Sequence, residues 1–285
     1  MNKEFVRSVL RTGVLLLLVA LFIMPVVFTL VNSLTTEREI MANYGMLGKP
    51  EVNAMVNVKW IPDRVSLDQY AKVLVATPMY LRLFWNSVFL VVPIVAGQTA
   101  VALLASFALG KLRFPGREAL FLTYLITMLL PFQVTLVPNY LMADRLGLLG
   151  DRGSVIWPGI FGAFGVFLLR QYMLHIPSTY IEAAKIDGAG YARIFASVVL
   201  PMVKPGIAAL VVLLFADYWN MVEQPLIFLR DADMQPLSVF LSRIQQEMLG
   251  VSFAASVVYM VPMVLLFLSA EPYFIEGIEL SGIKG

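Results

Sequence analysis

Apolar residues run along this chain in blocks. Six stretches, at about 14–34, 83–109, 119–141, 155–173, 206–229 and 253–270, are long and apolar enough to be membrane spans. A helix needs about 20 such residues to cross the hydrocarbon layer. Within that layer every backbone amide must find its partner in its own helix. The pattern therefore predicts an all-α membrane protein of six transmembrane helices. The run after Lys3, Arg7 and Arg11 is longer than the core of a secretory signal, so it is read as a retained first span. Pro93 marks an expected kink in the second span, and Pro131 and Pro138 interrupt the third. Gly159, Gly162 and Gly165 in the fourth allow close helix contact, although glycine is also simply commoner in membrane helices.

The polar intervals carry as much information. Residues 35–81 form the longest, with mixed charge and with Trp60, Ile61 and Tyr70 among polar neighbours. Residues 178–201 lie between two apolar blocks yet carry Glu182, Lys185, Asp187 and Arg193. There, Thr179 and Glu182 form a T-x-x-E capping box that predicts a helix start. Gly188 and Gly190 stop this helix within about three turns. A second helix follows, with Tyr191, Ile194, Phe195, Val198 and Val199 as one apolar stripe and Pro201 as its end. The expectation is two short helices joined by a glycine elbow, one face on the membrane domain and the other free. A polar tail, 275–285, closes the chain.

Charge sets the expected orientation. Lys3, Arg7 and Arg11 precede the first span, and Lys111, Arg113 and Arg117 crowd the connection between the second and third. Short basic loops stay in the cytoplasm. Both termini and the 178–201 loop are then inside, and 35–81 is outside.

Composition excludes several classes. With 59% hydrophobic and 14% charged residues, the chain is far from the soluble average of about 25% charged. A net charge of +2 argues against nucleic acid as a partner. The absence of cysteine removes disulfides, thiolate metal sites and a cysteine nucleophile. His175, the only histidine, cannot build an H-E-x-x-H site, and its place at the end of the fourth block suits a helix C-terminus. Neither Gly48-Lys49 nor Gly110-Lys111 completes a phosphate-binding loop, so any ATP is held elsewhere. No metal site and no cofactor of the chain's own is expected.

In the fifth block, Asp217, Asn220 and Gln224 fall at i, i+3 and i+7, with Glu223 beside them. A carboxylate facing lipid costs at least about 2.5 kcal/mol, so this side is expected to face protein or water. It serves either as a polar wall of a solute pathway or as an interhelical hydrogen-bonding seam.

The stretch Glu182-Ala183-Ala184, Asp187-Gly188-Ala189 and Leu200-Pro201 resembles the EAA loop of ATP-binding-cassette importer permeases. Phe107–Phe121, Met128–Leu149, Phe164–Pro177 and Tyr218–Leu229 are similar to segments of the carbohydrate-importer permeases, and the tail to the shorter permease of the maltose type. The chain departs from that pattern at Met221, Glu223 and Gln224. The resemblance implies a type I importer transmembrane domain in a bacterial or archaeal cytoplasmic membrane, itself without catalysis. It also implies partners: a homologous second permease, two ATPase subunits that bind ATP and magnesium, and an extracytoplasmic solute-binding protein. The cargo would be a sugar, moved by alternating access, with the Glu182–Pro201 helices coupling the ATPases to the spans. An ion-coupled secondary transporter using Asp217 and Glu223 is the alternative, although such folds show repeated halves that this sequence lacks.

Overall fold

The computed structural model describes residues 3–45, 57–243 and 248–282, and these are helical almost throughout. In chain order the helices are α1 (Lys3–Ser33), α2 (Glu37–Tyr44), α3 (Asp68–Ala71, prolonged by a π turn over Lys72–Ala76), α4 (Pro78–Lys111), α5 (Arg117–Met128), α6 (Phe132–Arg145), α7 (Gly153–Ile160), α8 (Ala163–Leu174), α9 (Ser178–Ile186), α10 (Tyr191–Met202), α11 (Lys204–Trp219), α12 (Glu223–Phe228), α13 (Leu237–Ser242) and α14 (Leu249–Gly282). The described residues contain a single β-bridge, Thr35 to Val65, and no strand. Residues 46–56 of the expected outer loop, with Gly48-Lys49, and residues 283–285 of the expected tail lie outside the described residues.

Four stretches are long and apolar enough to cross a membrane: Arg7–Ser33, Pro78–Lys111, Gly153–Leu174 and Leu249–Tyr273. Two more pass the same test only as bent pairs, α5 with α6 at 100° and α10 with α11 at 74°. Proline explains the first break. A helix running through Pro131 would lose a donor and drive the ring into the carbonyl of Thr127. Pro131 instead stands just outside α6, with extended backbone at φ −57°, ψ 140°.

The expected fifth span, 206–229, is not continuous. Helix α11 stops at Trp219 and α12 starts at Glu223. Two causes are local. The Asn220 side chain donates to the Ala216 carbonyl at 2.8 Å, and its own amide shares that acceptor only at 3.4 Å, so the last turn is already loose. Pro225 has no amide for the Met221 carbonyl, so it is tolerated only in the first turn of a new helix.

The chain forms two compact units. The first combines Met1–Arg82 with Phe240–Val261. In it, Phe28 makes edge-on ring contacts with Tyr44 and Phe253 at 6.0 Å, Tyr44 and Phe253 meet tilted at 6.4 Å, and Trp60 lies 5.6 Å from Phe28. Ser33 and Tyr70 share a hydrogen bond of 2.7 Å. Lys59 pairs with Asp63 and, at 2.9 Å, with Glu39. Hydrogen bonds that its ammonium donates to these carboxylates, Asp63 first, hold Lys59 above the ordinary lysine pKa. The segment after α1 is thus a folded cap, not a slack loop.

The second unit combines Leu83–Val239 with Pro262–Gly285. Its seam is a glycine ridge. A Cβ at Gly159 would stand 2.7 Å from Ile94, at Gly162 2.4 Å from Gln98, and at Gly165 2.9 Å from Ala102. Ile94, Gln98 and Ala102 are four residues apart on α4, so α7 and α8 lie against one row of that helix. Of the two readings of these glycines, the structure supports close contact.

Candidate functional site

Helix α9 ends in a closed hydrogen-bonded elbow. Gly188 takes φ +80°, the left-handed region that side chains with a Cβ avoid. Its amide donates to the Lys185 carbonyl at 3.0 Å, and the Ala189 amide reaches back to the Ala184 carbonyl at 2.9 Å. These two bonds form a Schellman cap, and Ala184 and Ala189 are the pair that meets across it. Both pack against a buried cluster of Phe107, Met173, Ile176, Ile181, Ile194, Val199 and Val203. The other side of the elbow is bare. Glu182, Ala183, Lys185 and Asp187 are exposed, and Ile186 is 88% exposed at the tip.

Three local expectations are corrected. The capping box does not form: Pro177 is the N-cap residue and no side chain caps α9. Proline suits that boundary because its fixed φ and missing amide cost nothing there, so the helix starts at Ser178 and Thr179 lies inside it. Tyr191 leaves the apolar stripe. It is 53% exposed, with the Lys185 ammonium 4.8 Å above its ring and 3.2 Å from its hydroxyl. Pro201 does not end the second helix, which runs on to Met202. A π turn at Phe195–Val199 precedes it, closed by the Leu200 amide on the Phe195 carbonyl. One extra residue per turn shifts the phase, so Ile194 and Val199, five apart, are both fully buried while Val198 is only partly so.

The elbow is stitched to the spans. Lys111 Nζ, at the end of α4, donates to the Ile176 carbonyl at 2.6 Å, one residue before the proline that opens α9. Buried Arg170 of α8 donates to the Leu109 carbonyl at 3.1 Å and to Glu118, and its guanidinium lies 3.8 Å over the Phe121 ring. His175 caps α8, its Nδ1 donating to the Gln171 carbonyl at 2.7 Å.

The second candidate is a cavity of ≈ 820 Å³. The end of α11 and the start of α12 give it Asp217, Asn220, Glu223 and Gln224; α6 gives Phe132, Gln133, Thr135 and Asn139; α7 gives Pro158 and Gly159. The four polar residues of the fifth block do meet here, although the helical spacing that suggested it is broken between Asn220 and Glu223. Irregular backbone at membrane depth is tolerated where it lines such a space. Leu90, Ile94, Ala143, Val155, Phe228 and Leu229 form a buried apolar core against which Tyr218 and Met221 pack, and Tyr218 donates to the Gly159 carbonyl at 3.1 Å. Gln133, which donates to Glu223 Oε2 at 3.4 Å, escaped the sequence reading together with Thr135 and Asn139. Their signal was present: polar side chains in an apolar block beside Pro131 and Pro138.

Residues 67–271 match the model of the family described as "Binding-protein-dependent transport system inner membrane component". The arabinooligosaccharides transport system permease protein AraQ of Halalkalibacterium halodurans is 32% identical over 227 residues, 79% of this chain and 81% of its own. The sn-glycerol-3-phosphate transport system permease protein UgpE of Brucella abortus is 31% identical over 202 residues, covering 69% of this chain and 72% of its own. A crystal structure of a bacterial ABC transporter involved in the import of the acidic polysaccharide alginate superposes with a TM-score of 0.79 over 96% of this chain and 98% of that one, at 21% identity. The extent of the family match decides between an importer subunit and an ion-coupled carrier: the chain belongs to the binding-protein-dependent transport system inner membrane components, as an all-α permease with the type I importer fold.

Proposed function

We propose that this chain is one of a pair of permease subunits that import a sugar or oligosaccharide by alternating access. Its partners would be a homologous permease, two ATPase subunits and an extracytoplasmic binding protein. Arabinooligosaccharide permeases among its relatives support the cargo class. A structure of the alginate transporter with its oligosaccharide-bound periplasmic protein, 16% identical to this chain, is consistent with the assembly. ATP and magnesium belong to the ATPase subunits, and the permease itself carries no catalysis. Both termini and the α9–α10 elbow face the cytoplasm.

The observation that carries this reading is the two-sidedness of the elbow. Ala184 and Ala189 are built into the same core as α4 and α8, while Ile186 and its charged neighbours stand free. A force applied to the free side reaches the spans because the buried side cannot yield without opening a close-packed core. Asp217, Asn220, Glu223 and Gln224 line part of the cargo path. The test has two arms. Purification of the tagged chain from membranes should bring an ATPase subunit with it. Mass spectrometry of ligand released from the cognate binding protein should find a sugar. A chain that purifies without an ATPase and still drives uptake would overturn the reading.

A further inference from the structure

We propose that the cavity beneath the α11–α12 break selects cargo by charge: it admits uncharged polyhydroxylated solutes and turns away anionic ones, with Asp217 and Glu223 as the discriminating residues. The proposal rests on the reading of this cavity as part of the cargo path. Among the described residues its lining holds two carboxylates and no lysine, arginine or histidine. The other polar groups are amides and hydroxyls, among them Gln133, Thr135 and Asn139.

An independent feature marks the space as made for a ligand. Gln224 lines it and is only 6% exposed, yet its Nε2 has no hydrogen-bond partner. A buried donor left unpaired is costly; Nε2 is closed off as it stands, and a turn of the amide toward the cavity would pair it with a hydroxyl oxygen of a solute. Gln133 donates to Glu223 Oε2 and thereby positions that carboxylate. A sugar hydroxyl both donates and accepts, so the hydroxyls of a sugar can donate to the carboxylates and accept from the amides of this lining. The anionic group of a phosphate ester or a uronate brings only acceptors to the carboxylates, and like charges repel strongly inside low-dielectric walls. The arrangement thus separates this chain from relatives whose cargo is glycerol 3-phosphate, and from the alginate transporter whose fold it shares.

The chain has no cysteine, so Thr135→Cys and Asn139→Cys each place the only thiol of this subunit on the cavity wall. The complete importer, reconstituted in liposomes at low salt, is treated with methanethiosulfonates carrying either a trimethylammonium or a sulfonate group. The thiolate attacks the reagent sulfur, forms a mixed disulfide and releases methanesulfinate; mass spectrometry of this chain follows the rate. Each rate is divided by that of the same reagent with a free small thiol. The cationic reagent should react about tenfold faster or more, the range by which a charged cleft concentrates its counter-ion. The preference should vanish in the Asp217→Asn/Glu223→Gln double variant.

Equal normalised rates, or a preference that survives the double variant, would overturn the charge filter while leaving the pathway reading in place. The pathway reading is probed separately, by ATP-driven uptake of arabinotriose after modification. Loss of uptake supports it. Undiminished uptake with both thiols fully modified, or thiols that react with neither reagent, would overturn the pathway reading and the filter together.

Discussion

The Ala189 amide donates to the Ala184 carbonyl at 2.9 Å, across a turn that only Gly188, at φ +80°, makes without strain. A Cβ at Gly188 would meet nothing within 4 Å. The cost of substitution there is therefore conformational and not steric, about 1–2 kcal/mol for a residue with a Cβ. Gly188→Ala should keep the fold and lower ATP-driven uptake several-fold by loosening the elbow. Gly188→Pro should abolish uptake, since proline cannot take positive φ and loses the bond to the Lys185 carbonyl. Membrane insertion should be normal in both, because the apolar spans are untouched. Uptake, ATPase activity and ATPase co-purification on one preparation check this. Full uptake by Gly188→Pro would reduce α9 and α10 to a passive connection.

How much of this was legible follows from where the signals sit. The spans were readable because a block of about 20 apolar residues has few alternatives in a chain this hydrophobic. The elbow was readable because glycines between charged residues and an apolar stripe mark a helix end. The break at Asn220–Val222 was hidden: polar residues at i, i+3 and i+7 mimic one face of a continuous helix, and Pro225 alone did not contradict it. The phase shift between Ile194 and Val199 was hidden for a related reason. A π turn has no composition of its own, and a five-residue spacing looks like noise in a 3.6-residue pattern. Thr179 misled because Pro177, two residues earlier, offered a cheaper helix start.

Arg170 and Glu118 provide a prediction about magnitude. The ion pair spans 3.1 Å, but the Glu118 side chain is 64% exposed and that of Arg170 only 8%. An exposed partner adds little, because water screens the pair. The remaining ties of Arg170, to the Leu109 carbonyl and the Phe121 ring, are the ones that water cannot replace. Glu118→Gln should hardly move the melting temperature of the purified complex, whereas Arg170→Met should lower it clearly, by the loss of about 2–3 kcal/mol. Equal effects from the two variants would mean that the ion pair with α5, and not the buried ties, holds Arg170 and α8 in place.

The segment after α1, on the side expected to be outside, carries Trp60, Ile61 and Tyr70, residue types suited to a contact with the binding protein. Two of these have inward duties, Trp60 against Phe28 and Tyr70 with Ser33, while Ile61 is 77% exposed. Deleting residues 43–57 would also remove Tyr44, which is buried, so it would be a poor probe of docking. Ile61→Asp is the cleaner change. It should leave basal ATPase activity as it is and reduce the stimulation by loaded binding protein. Full stimulation by Ile61→Asp would move the contact elsewhere.

The π turn before Pro201 leads to the most stringent test of the lever. In a regular helix the ring of Pro201 would strike the carbonyl of Ser197, and no amide would replace the lost bond, a penalty of about 3 kcal/mol or more. The widened turn at Phe195–Val199 moves that carbonyl aside. Ser197 is exposed, and deleting it would restore regular winding. Ile194, Val199 and Val203 would then fall at i, i+4 and i+8, still on the buried face. The core is thus kept, but Pro201 meets the clash that the π turn avoided. Deletion of Ser197 should lower the melting temperature of the complex, and Pro201→Ala added to it should restore most of the loss. Pro201→Ala alone should have a small effect. The doubly changed chain should fold and associate with its ATPase yet transport slowly, because the rewound α10 presents α9 at a different angle. A Ser197 deletion as stable as the unchanged complex, with Pro201 in place, would show that the π turn is not there to accommodate the proline.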